Sequence, residues 1–60
     1  MNIPDEKIEE LSKQFSFRLA EKIEKKEIGI NKASSFVASF FNCLNSEKDE
    51  SEIEIFIEKI

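Results

Sequence analysis

Cys43 is the one residue of this 60-residue chain with the side chain of a strong nucleophile. A thiol must ionise to react, which takes a neighbouring base or a positive surrounding. The chain has no histidine, and the charges nearest to Cys43 in sequence are Glu47 and Lys48. On a helical wheel Cys43 falls at the edge of a phenylalanine-rich seam, which predicts a small buried apolar residue. With one thiol and no histidine, neither an internal disulfide nor a zinc ligand set can be assembled.

Carboxylates are the second kind of group that could do chemistry. Glu6, Glu9 and Glu10 cluster near the start, and Glu47, Asp49, Glu50, Glu52 and Glu54 crowd a later stretch. An acid/base pair needs burial, or a like charge held close in a cleft, to move a pKa. So small a chain offers little room for such a cleft, and the acidic stretch lacks the glycine and ligand spacing of a calcium loop. These groups are expected to be solvated. We expect no enzyme, no cofactor, no metal site and no small-molecule substrate.

The third kind is basic: Arg18, Lys22, Lys25, Lys26 and Lys32 could form a phosphate-binding corner. A helix-turn-helix reader would place a basic or polar helix in the major groove. The candidate helix here, 32–45, carries one lysine and no arginine. The net charge is −4, with residues 5–10 summing to −3, 13–32 to +3 and 47–59 to −4. An acidic total disfavours non-specific nucleic-acid binding and anionic membrane surfaces. A nucleic-acid-linked regulator with a dimeric lysine-rich corner is the alternative reading.

The elements that must carry these groups read as helices. Residues 4–27 predict one long helix: Pro4, Asp5 and Glu6 suit a first turn, and Lys22, Lys25 and Lys26 suit a last one. Ile8, Leu11, Phe15, Leu19 and Ile23 form one apolar stripe at spacings of three and four. Gly29, the only glycine, is the expected left-handed stop. Asn31 is then the expected N-cap of the next helix, with Ile28 and Ile30 buried at the corner.

Residues 32–45 predict the second helix. Its seam is Ala33, Phe36, Val37, Phe40, Phe41 and Leu44. Its opposite face (Ser34, Ser35, Ala38, Ser39, Asn42 and Asn45) is small and uncharged in a chain that is 37% charged. That contrast predicts a central helix packed on both sides, the second side meeting either the C-terminal segment or another copy of the chain. Residues 50–60 predict a short third helix, with Ser51 and Glu54 matching a capping box. The alternation of Ile53, Ile55 and Ile57 also fits a strand.

Together these readings predict an all-α, three-helix unit forming a single small helical domain, 1–60, packed as a homodimer. No run of about 18 apolar residues is present to span a membrane. A lone cysteine and a start unlike a secretory leader predict a reducing, cytoplasmic setting. Phe17 stands about 180° from the centre of the first helix's stripe, where a one-faced helix has no use for an aromatic ring. It is the expected anchor of an interface, with Ala20 beside it. Ser34, Ala38 and, more weakly, Ile55 are further partner-binding candidates. The function this predicts is a small protein–protein interaction module: an adaptor, regulator or inhibitor whose partner is another protein, itself, or both.

Overall fold

The computed structural model describes residues 3–46 and 48–60, so Met1, Asn2 and Glu47 (part of the start and of the acidic stretch read above) lie outside the described residues. It contains α1 (Asp5–Glu24), α2 (Ile30–Asn45) and α3 (Glu50–Glu58), and no strand among the described residues. Residues 51–60 are therefore helical in all but their last two positions, and the strand alternative is set aside. The body is elongated, 34 × 17 × 15 Å.

Leu11, Phe15 and Leu19 on α1, Ala33 and Phe40 on α2, and Ile53 and Ile57 on α3 share one core with Ile3. Three rings tie it together. Phe15 and Phe40 lie nearly parallel with centroids 4.3 Å apart, and Phe56 stacks at 6.1 Å from Phe15 and 6.5 Å from Phe40. Cys43 is half-buried against this core, as are Phe36, Val37 and Leu44. These contacts follow from spacings of three and four that keep apolar residues on one helical face.

The corner between α1 and α2 is built differently from the expectation. α1 ends at Glu24, and Lys26, not Gly29, takes the left-handed conformation, with φ 60°. The Glu27 N–H donates to the Lys22 carbonyl at 2.9 Å and the Lys26 N–H to the Ile23 carbonyl at 3.0 Å. This is the paired bonding of a Schellman stop. Such stops commonly add an apolar contact between their first and last residues; here those positions hold the Lys22–Glu27 ion pair at 3.4 Å. Stopping three residues early turns Ile28 onto the core.

Gly29 is left extended, with φ −93° and ψ 179°, and serves as the N-cap of α2. Asn31 therefore lies inside the helix and caps nothing. Ile30 opens α2 and is 79% exposed, so only Ile28 of the expected pair is covered. At the start of α3 the cap also falls earlier. The Asp49 carboxylate accepts from the Glu52 N–H at 2.9 Å, which places Ser51 within the helix and removes the expected capping box.

The largest difference concerns α2. Within one chain it is packed on one side only, and Ser34, Ser35, Ala38, Ser39, Asn42 and Asn45 are all exposed. α3 lies against the same core that α1 covers, through Ile53 and Ile57, and so leaves the small-residue face open.

Candidate interaction surfaces

α1 meets its two neighbours in different ways. Towards α3 the seam is clasped by polar groups. Arg18 on α1 donates from Nη2 to the Glu58 carbonyl at 3.1 Å, covering an open C-terminal acceptor of α3. Lys7 lies 3.6 Å from Glu50 at the other end of α3 and 3.6 Å from Glu10 on its own helix. Attraction from Glu10 first, and then from Glu50, holds the Lys7 ammonium above the ordinary lysine pKa. The Nε of Arg18 is buried without a partner, so the clasp is only partly satisfied.

Outside this seam, Phe17 is 72% exposed. It stands in an open cleft of about 620 Å³ with Lys13 and Arg18 on one side and Glu54 and Glu58 on the other. The ring is thus bordered by two cations and two carboxylates, a setting for an apolar anchor within a polar rim.

Towards α2 the seam carries no such clasp. Among the described residues no side-chain hydrogen bond or ion pair joins α1 to α2. A groove of about 330 Å³ runs along its outer side. Ser12, Ser16, Ala20 and Ile23 line it from α1, and Val37 and Phe41 from α2, above the rings of Phe15 and Phe40. Among the described residues, none that line it is charged.

Phe41 is 57% exposed and Ile23 is 43% exposed, so both stand at the lip of the groove although the stripes place them in the core. The signal for this lies in the width of the α2 seam. At 100° per residue Phe41 is about 80° from the centre of the other five seam residues, on the side of Ser34 and Ala38.

The candidate residues fall into separate places. Phe17 belongs to the α1–α3 cleft and Ala20 to the α1–α2 groove, so the two do not share a surface. Ser34 and Ala38 are exposed on α2, seven and three residues before Phe41, and extend the groove's uncharged surroundings. Ile55 is half-exposed in a shallow third depression with Cys43, Lys48 and Phe56.

The basic corner is largely engaged within the chain. Lys22 pairs with Glu27, Lys25 lies 3.6 Å from Glu21, and Arg18 is spent on the Glu58 carbonyl. Lys32 sits over the Phe36 ring at 5.7 Å.

No helix is long and apolar enough to cross a membrane among the described residues. Comparison with protein-family models, with curated proteins and with solved structures returned no match.

Proposed function

We propose that this chain is a small protein-interaction module of the cytoplasm, an adaptor, regulator or inhibitor, which buries apolar helix faces against another protein and also associates with itself as a homodimer. The observation that carries this reading is Phe17: a large ring left mostly exposed on a folded helix, with charges of both signs around it. Buried aromatic anchors supply much of the binding energy of protein interfaces, and a charged rim steers and orients the partner. The role is one of binding, with no chemical step.

The test compares the proteins retained from a cell lysate by the wild-type chain and by a Phe17→Ser chain of equal helicity. Retention that disappears with the ring supports the reading. The same proteins held equally by both chains, or none held by either, overturns it for the Phe17 cleft. The nucleic-acid-linked alternative has less to stand on, because most of its cations already face carboxylates or a carbonyl.

A further inference from the structure

We infer that the α1–α2 groove is the surface on which two copies of this chain meet, about a two-fold axis, with Phe41 of each copy seated in the groove of the other. This rests on the self-association part of the reading above and names its face and geometry.

A two-fold contact must be self-complementary, since the same patch serves both subunits. The groove meets that requirement within a few residues. Its hollow is floored by Phe15 and Phe40, and its own lip carries the half-exposed rings and branches of Phe41 and Ile23. A knob beside a hole of like chemistry is what a two-fold rotation can interlock.

Charge selects the same face. The chain carries a net −4, so two copies repel each other on average. The groove has no charged lining residue, and Lys32 is the one charged side chain of α2. Seating a ring of the second copy in this groove therefore buries no charged group among its described lining residues. The Phe17 cleft differs, because a second copy there would have to bury Lys13, Arg18, Glu54 and Glu58 as well.

Size points the same way. A domain of this length buries only about 60% of its unfolded surface, and such chains commonly add disulfides, a metal or a second subunit. The lone Cys43 and the lack of histidine leave a second subunit, along with efficient helix packing, as the devices this sequence can use.

The face is small. The two helix segments that border the groove span roughly 20 by 20 Å, below the ~800 Å² per partner of a standard interface. The dimer is therefore expected to be weak and concentration-dependent.

Sedimentation equilibrium from below micromolar to about 1 mM tests the inference, using the full chain and three variants, each checked for helicity. The expected result is a monomer–dimer equilibrium that Phe41→Ser, by loss of a central anchor, and Ala20→Glu, by placing a charge in the groove, each weaken by about 30-fold or more, and that Phe17→Ser leaves unchanged. Ala20 is exposed and lines the groove, so Ala20→Glu carries the test should Phe41→Ser fail to fold. A dimer indifferent to both groove variants, or one abolished by Phe17→Ser, overturns the groove as the interface and leaves self-association standing. A monomer throughout the range overturns both.

Discussion

The two seams of α1 are finished to different degrees. The α3 seam is closed at both ends by long side chains, Arg18 reaching the Glu58 carbonyl and Lys7 reaching Glu50. The α2 seam has no polar clasp among the described residues, and it leaves Phe41 and Ile23 half in water. The helix that comes last in sequence is thus the one held by specific polar bonds. The helix joined by a five-residue corner relies on shape alone. A tethered neighbour needs little help to find its place, whereas a distant segment gains from bonds that fix its position. The untidy seam is also where further apolar burial remains available.

The largest effect that would break this contrast comes from the residue the seams share. Phe40→Ala is expected to cost about 3–5 kcal/mol, a large part of what so small a chain can hold. Circular dichroism and urea unfolding should then show α1, α2 and α3 failing together. Persistence of α1–α3 protection in hydrogen exchange would mean the seams are independent.

Arg18→Ala should act on one seam only. Loss of its bond to the α3 terminus is expected to cost about 1 kcal/mol, seen as faster amide exchange in α3 with α2 unaffected. At the corner, Lys26→Gly should work in the opposite direction. Relief of the left-handed lysine, less the greater freedom of glycine when unfolded, leaves a gain of up to about 1 kcal/mol. A raised melting temperature with the same α3 exchange rates would confirm that it strengthens the corner alone.

The smallest effect is assigned to Lys7→Gln. Lys7 titrates above its ordinary value because Glu10 and Glu50 favour its charged form. Its contribution is therefore complete below the ordinary lysine pKa and lost as pH rises through the raised value. At neutral pH the variant should melt slightly below wild type in low salt and together with it in high salt.

The helices were legible in sequence because their apolar residues recur at helical spacing and leave little choice of face. Leu11, Phe15 and Leu19, and likewise Ile53 and Ile57, are where the stripes place them. The stops were less legible, because competition among neighbouring residues decides them. A lysine took the left-handed position although glycine stood three residues on, since bonding back to Lys22 and Ile23 closed the helix first. The exposed Phe17 followed from its angle on the wheel. Phe41, about 80° from the centre of its seam, carried part of that signal; Ile23 did not, because a stripe on one helix records only that a residue points roughly inwards. Whether a neighbour reaches its edge depends on the lateral placement of two helices, which no single stripe encodes.

The stacked rings of Phe15, Phe40 and Phe56 have an optical consequence. The chain contains neither tryptophan nor tyrosine, so its near-ultraviolet signal comes almost entirely from phenylalanine, and the ordered stack should dominate its circular dichroism there. The protein is correspondingly dark to the usual fluorescence measurements. A single tryptophan placed at Phe41 would be its only strong emitter, reporting on the groove against no background.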